Sequence, residues 1–142
     1  MEDRFEIIDG LRYRRTVRAI IADTQDRALL IQPHGYDLDA WTLVGGGIEA
    51  SESKAQAVQR EVTEETGIVR VLEMREASHT HRFLFPEKVR LKRGLKHHGQ
   101  SATVFFVRVP ADSAVRLQAE EVRASCWVPL RDAESLFKVN AQ

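Results

Sequence analysis

The sequence holds a single cysteine, Cys126, so no internal disulfide can staple the chain. Its neighbours in RASCWVPL are those of a strand, and the thiol is expected to act as a small buried apolar group. Excess charge is lacking too, because 21 Lys and Arg balance 21 Asp and Glu. Nucleic-acid coat proteins and membrane-surface proteins depend on a net field, so any charge-based function here must be local. No apolar run approaches the roughly 18 residues of a membrane helix, and the opening MEDRFEIIDG has no basic region followed by an apolar one. The expectation is an intracellular, cytoplasmic protein with no membrane partner. Internal repeats and low-complexity tracts are also missing. What is present, 142 residues of which 43% are hydrophobic, has the size and composition of one domain, residues 1–142, able to bury a core.

The pattern along the chain alternates strands with helices. RRTVRAIIADTQDRALLIQ reads as a hairpin whose turn is Asp23-Thr24-Gln25-Asp26, and WTLVGGG as a short strand ending in a glycine loop. A helix follows. IVRVLEMREASHT and HRFLF then carry strand-type residues, and SATVFFVRV and EVRASCWVPL are further strands. RDAESLFKV is expected to form a short terminal helix with Asp132 as its N-cap. This order predicts a mixed α/β (α+β) fold, a sheet covered by helices.

The first helix carries the chemistry. Ser53 and Gln56 have capping-box spacing and Gly67 stands where a left-handed terminator would, which frames residues 54 to 66. At about 100° per residue, Ala55, Val58 and Val62 form an apolar stripe, with Glu61, Glu64 and Glu65 on an adjoining one. Like charges at these spacings repel by a few tenths of a kcal/mol per pair, and the negative end of the helix dipole adds to the cost. Stability alone does not select such a cluster. A hard divalent cation reverses the sign, since Mg²⁺ takes oxygen ligands and is often held by carboxylates together with substrate phosphates. His79 and His81 are weaker candidates, because that cation prefers oxygen.

Gly46, five residues, Glu52, seven residues and then REVTEETGI fill every fixed position of the Nudix box, and here the sequence resembles the Nudix hydrolase family. Seven fixed letters make a chance match on the order of one in 10⁸ per window. The resemblance implies an α/β/α sandwich with a central mixed sheet. It also implies cleavage of a phosphoanhydride in a nucleoside diphosphate linked to some other group, with Mg²⁺ or Mn²⁺ as cofactor. Carried over by position, Glu61, Glu64 and Glu65 match the metal-binding glutamates. Arg60 and Glu52 match the pair that steadies the helix and its loop, Glu52 being also a candidate for metal contact. Gly45, Gly46 and Gly47 lack a Cβ and would let backbone approach metal and phosphates, Gly46 being the candidate backbone ligand. The candidates for general base are Glu64 and, before the last strand, Glu121; Glu120 lies beside it.

The substrate candidates come from a local excess of positive charge. Lys88, Arg90, Lys92, Arg93 and Lys96 crowd between two strands, and Lys92, Arg93 and Lys96 are candidate grips for a polyphosphate or an RNA 5′ end. RFLFP, a basic interval and GQ before an apolar strand are similar to the RNA 5′ pyrophosphohydrolase and diadenosine-polyphosphate hydrolase branch. The chain departs from that branch in having Val44-Gly45-Gly46-Gly47 in the loop and Val104 in place of an aromatic. Tyr36, Trp41, Phe83, Phe85 and Trp127 are candidates to stack on a base. The expected substrates are therefore dinucleoside polyphosphates or 5′-triphosphate ends, then free nucleoside triphosphates or nucleotide sugars. A homodimer is implied by the family alone. A non-catalytic nucleotide-sensing module would be marked by a damaged REVTEE segment, and this one is intact.

Overall fold

The computed structural model describes residues 4–34 and 41–133. Its elements in chain order are β1 (Phe5–Ile8), β2 (Leu11–Asp23), β3 (Arg27–Pro33), β4 (Val44–Gly47), α1 (Lys54–Thr66), β5 (Glu73–Leu84), α2 (Glu87–Arg93), β6 (Gly99–Val109) and β7 (Val122–Pro129). The sheet runs β5-β6-β2-β3-β7, with β1 and β4 also paired to β2. It is mixed, because β2 and β6 are parallel and the remaining pairs antiparallel. Thus the expected mixed α/β (α+β) class, with a central mixed sheet, is the observed one.

Strand β2 organises the molecule. It enters from β1 through a two-residue turn, Asp9-Gly10, with φ of 52° and 78°, the positive pair that an Asp-Gly hairpin turn adopts. It leaves through the predicted turn, where Asp23 Oδ1 accepts the N–H groups of Gln25 and Arg27 at 2.9 Å each. The predicted hairpin is real but barely paired, since β2 and β3 share one rung, Ala22 with Ala28. Below that rung the two strands part, and β4 takes the edge of β2 from Thr16–Gly47 to Ala19–Val44.

Alternation along β2 sends Val17, Ala19 and Ile21 to the face covered by α1, where they meet Ala57, Val58 and Val62 of the helix, Leu29 and Ile31 of β3, and Phe105 and Val107 of β6. Each fully buried side chain of this size contributes about 1.5–3 kcal/mol. The helix is bounded as its caps dictate: Ser53 and Gln56 form the reciprocal capping box, and Gly67 closes the other end at φ 77°.

Several expectations change. IVRVLEMREASHT and HRFLF are one strand, β5, irregular between Glu76 and Thr80, and residues 68–72 lie outside it. The basic stretch contains α2, closed by Gly94 at φ 64°. Helical backbone begins at residue 130, so Asp132 lies inside the first turn and is not its N-cap. The rest of that predicted helix, and Tyr36, fall outside the described residues. Cys126 is half-buried, and that burial pushes its thiol up. Among the described residues, no helix is long and apolar enough to cross a membrane.

Candidate active site

The three glycines of β4 are needed for close approach. A methyl group at Gly45 would strike the Val17 carbonyl oxygen, one at Gly46 the Glu61 carboxylate, and one at Gly47 the Arg14 guanidinium. With no Cβ in the way, α1 lays its carboxylates against the β4 backbone, and the Gly45 N–H donates to Glu65 Oε1 at 2.9 Å.

Arg60 ties the loop to the helix. Its Nε and Nη2 donate to the two oxygens of Glu52 at 2.7 and 3.0 Å, the fork-on-carboxylate geometry that only a guanidinium supplies. Nη2 also donates to the Gly47 carbonyl at 2.8 Å, and Nη1 to Glu61 at 2.8 Å and Glu64 at 3.4 Å. Glu52 accepts the Glu49 N–H as well, and with Arg60 as the main cause its carboxyl is held below the usual range. One cation thus serves three glutamates from positions 52, 61 and 64.

The helix does not present its glutamates on one equivalent stripe. Glu61 and Glu65 are buried at 9% and 7% exposure, on the same side as Val58 and Val62, while Glu64 faces outward. Burial is the chief reason that the Glu61 carboxyl is raised despite Arg60, and that the Glu65 carboxyl is pushed up to about 7. The negative charge of Glu121 adds to both. Glu121, at the entrance to β7, therefore belongs to the same electrostatic cluster, and it lines a cleft with Glu120, Glu65, Gly45, Arg18 and His34. The His34 N–H donates to the Glu121 carbonyl at 3.0 Å, which pins this segment to the end of β3.

This donor set fits a divalent cation: it is all oxygen, enclosed, and short of positive charge. Among the described residues no three His, Cys, Asp or Glu side chains already converge as a finished cage. Glu61 Oε1 accepts from Arg60 and Glu65 Oε1 from the Gly45 N–H.

The other candidates lie apart. Lys92 and Arg93 end α2 and Lys96 follows it; all three are exposed and none lines the cleft. His79 and His81 are exposed on β5, and Trp127 packs against the core with Arg27 5.6 Å from its ring. Two cleft residues escaped the sequence reading, Arg18 and His34. Strand alternation opposite to Val17 could have flagged Arg18; nothing local marks His34.

A family model, NUDIX domain, matches residues 12–142. The chain belongs to the Nudix hydrolases. This Nudix hydrolase is accordingly an enzyme acting on pyrophosphate bonds. It is similar to the RNA pyrophosphohydrolase of Teredinibacter turnerae, 34% identical over 136 residues that cover 87% of this chain and 78% of that protein. The RNA pyrophosphohydrolase of Halorhodospira halophila is 31% identical over 108 residues, which cover 75% of this chain and 59% of the relative. Among solved structures, the E. coli dihydroneopterin triphosphate pyrophosphohydrolase superposes with a TM-score of 0.73 at 21% identity, over 89% of this chain and 90% of that one, a likeness of fold.

Proposed function

We propose that this Nudix hydrolase cleaves the phosphoanhydride of a 5′-triphosphate RNA end, with Mg²⁺ as the preferred cation and Mn²⁺ able to replace it. The observation that carries the reading is the cleft in which Glu65 and Glu121 face Arg18 and the bare backbone of Gly45. Its carboxylates call for a divalent cation, and its arginine and glycine backbone suit a phosphate chain. The RNA end is supported by the activity named for relatives more than 30% identical.

Glu61, Glu64, Glu65 and the Gly46 carbonyl would hold the cation. When bound, it offsets the charge on phosphate oxygens and lowers the pKa of the attacking water. Arg60 keeps the Gly47 carbonyl and Glu52 at fixed positions and so holds the glycine strand in register with the helix. Arg18 orients the phosphate chain. Glu121 accepts the proton of the attacking water at its carboxylate, with Glu64 as the other candidate. A new P–O bond forms in line as the bridging P–O bond breaks, and the leaving phosphate carries away its electron pair. Lys92, Arg93 and Lys96 stand outside the cleft and supply attraction for the polyanion, so alanine at all three should raise KM roughly 3- to 150-fold, less at high salt, with kcat unchanged.

A panel of a 5′-triphosphate RNA oligonucleotide, a tetraphosphate-bridged dinucleotide, a nucleoside triphosphate and a nucleotide sugar, in Mg²⁺, Mn²⁺ and EDTA, tests this by mass spectrometry of products in ¹⁸O-water. The expected result is the highest kcat/KM on the RNA end, no turnover in EDTA, and label on one phosphorus. A higher kcat/KM on the dinucleotide or free nucleotide would reassign the substrate. Binding without turnover of any of the four would make the chain a sensing module.

A further inference from the structure

Glu121 stands on the segment that links β6 to β7, and two features on the β3 side bring it to the cleft. The first is a break in register. Leu29 pairs with Trp127 and Ile31 with Ser125; Leu29 and Ile31 are core residues and Trp127 packs against them. Gln32 then pairs with Ala124 but Pro33 with Val122, so Arg123 is an extra residue on β7. Strict alternation from Trp127 would carry Arg123 into the core and turn Val122 out. The bulge instead returns Val122 to the core, where it is 1% exposed, and sends its neighbour Glu121 to the opposite side, that of Arg18 and the Gly45 backbone. Pro33 is a place where such a bulge is tolerated, because proline has no N–H to give to the ladder.

The second feature is His34. Its backbone N–H donates to the Glu121 carbonyl at 3.0 Å, and its ring Nε2 lies 2.7 Å from the Ala119 carbonyl. A carbonyl can only accept, so the ring is the donor and its proton sits on Nε2. The two carbonyls bracket the side chains of Glu120 and Glu121, and the backbone that carries both carboxylates is thus tied at each end. Other bonds shape the same segment. The Arg116 N–H donates to the Thr66 carbonyl at 2.7 Å, Val115 and Leu117 pack against the core, and the Gln118 carbonyl accepts the N–H groups of Glu121 and Val122 at 3.0 and 2.9 Å. These fasten the start of the turn to the end of α1, beside Glu65. The His34 ring ties the tip of the turn to the end of β3. His34 is exposed, so its ring bond is not a by-product of core packing.

Resting on the assignment of Glu121 as the proton acceptor, we propose that His34 is a positioning residue: through the Ala119 carbonyl its ring holds the 119–121 turn so that the Glu121 carboxylate meets the attacking water. It acts through the backbone and takes no proton in the reaction. Loss of the ring bond frees the turn, and a displacement of about 1 Å at a reacting group costs on the order of 10²-fold in turnover.

The test separates the ring from the backbone. His34→Ala keeps the N–H bond to Glu121 and removes the ring bond, whereas His34→Gln supplies an amide whose Nε2 lies the same number of bonds from the main chain and still donates. On whichever substrate of the panel above has the highest kcat/KM, His34→Ala should lower kcat roughly 10- to 100-fold with KM within a few-fold of wild type, and His34→Gln should recover most of the loss. In a Glu121→Gln background His34→Ala should cost nothing further, since a residue that acts through another has no separate effect once that one is gone. An unchanged kcat in His34→Ala, or the same fold-loss in both backgrounds, would overturn the positioning role. Amide hydrogen exchange of the metal-free protein reads the clamp without any chemistry. The Glu121 and Val122 N–H groups should exchange at least several-fold faster in His34→Ala than in wild type or His34→Gln, with the Ile31 N–H, bonded to the Thr42 carbonyl, unchanged. A Glu121→Gln protein of wild-type kcat removes Glu121 as the base; the exchange rates then decide the clamp alone, faster exchange keeping it and equal rates overturning it.

Discussion

Asp23, at the tip of the β2–β3 hairpin, and Glu65, near the end of α1, are both carboxylates enclosed by protein. For Asp23, burial alone would raise the pKa, but the N–H groups of Arg27 and Gln25 and the Arg27 guanidinium at 2.7 Å outweigh it, and the carboxyl is held below its usual range. Glu65 accepts one backbone N–H, and its burial with Glu61 and Glu121 nearby leaves the carboxyl at about 7. The chain completes the environment of Asp23 from its own donors, while Glu65 has one backbone N–H and the charge of Arg18 set against burial and two neighbouring carboxylates. A buried acid by itself therefore says little about function; the sign of its pKa change separates a turn from a site.

The contrast breaks first at the chemistry. Glu121→Gln should lower kcat by roughly 10²- to 10⁴-fold if Glu121 takes the proton, with Mg²⁺ affinity nearly unchanged, whereas Glu64→Gln, at a proposed cation ligand, should lower turnover and weaken Mg²⁺ binding together. Asp23→Asn should leave the kcat of folded enzyme as it was. Steady-state kinetics on all three, with active-site titration, decide the matter, and a kcat within a few-fold of wild type excludes a glutamate as the base.

Gly46→Ala comes next. Its new methyl group must displace the Glu61 carboxylate, and a shift of about 1 Å in a reacting geometry costs on the order of 10²-fold in turnover. Circular dichroism should show the fold intact. Normal activity in this variant would mean that Glu61 does not need its observed place.

Asp23→Asn should instead cost stability, about 2–3 kcal/mol, or roughly 6–12 °C in Tm. Because the folded pKa is depressed, this contribution is fully present above the ordinary Asp value near 4 and is lost as pH falls through the lower folded value. Denaturant melts of wild type and variant should therefore differ at pH 7 and converge in strong acid.

Smallest is Glu65→Gln in metal-free protein. A folded pKa of about 7, above the unfolded one, means that the folded state binds the proton more tightly, so wild-type stability falls as pH rises from about 4.5 through 7. Glutamine removes that slope. The variant should match wild type near pH 5 and melt a few degrees higher at pH 8, and Mg²⁺ should then stabilise wild type more than the variant. Parallel pH profiles would show that Glu65 is not strained when empty.

Local signals carried most of what the sequence revealed. The capping box, Gly67, the turn at Asp23 and the strict spacing from Gly46 to Ile68 each rest on neighbours in the chain, so they could be placed before any tertiary contact was known. Asp9-Gly10 was just as local and was passed over; β1 went with it. Helix α2 was hidden for another reason. It buries no residue and its N-cap, Pro86, makes no side-chain cap, so neither apolar periodicity nor a start signal marks it. The burial of Glu61 and Glu65 was not legible either, because the helix turns them toward the β4 glycines, and that contact depends on where the sheet lies. Arg18 and His34 reach the cleft through strand pairing and loop closure.

The parallel ladder between β2 and β6 has a consequence in time. Tyr13 pairs with Gly99 and Asp23 with Val109, so every rung spans 86 residues of chain. Contacts this distant in sequence close slowly, after the loop-closure entropy of everything between them has been met. At about 5–20 residues per second of synthesis, the middle strand of the sheet waits roughly 4 to 17 s for its longest partner, with that edge and its apolar alternate residues open to other chains. Nascent chains halted before residue 99 should be cut within β2 by a protease that spares chains halted well beyond residue 109. The strand that later holds the glycine loop in place is, during birth, the part of the molecule most exposed to misassembly.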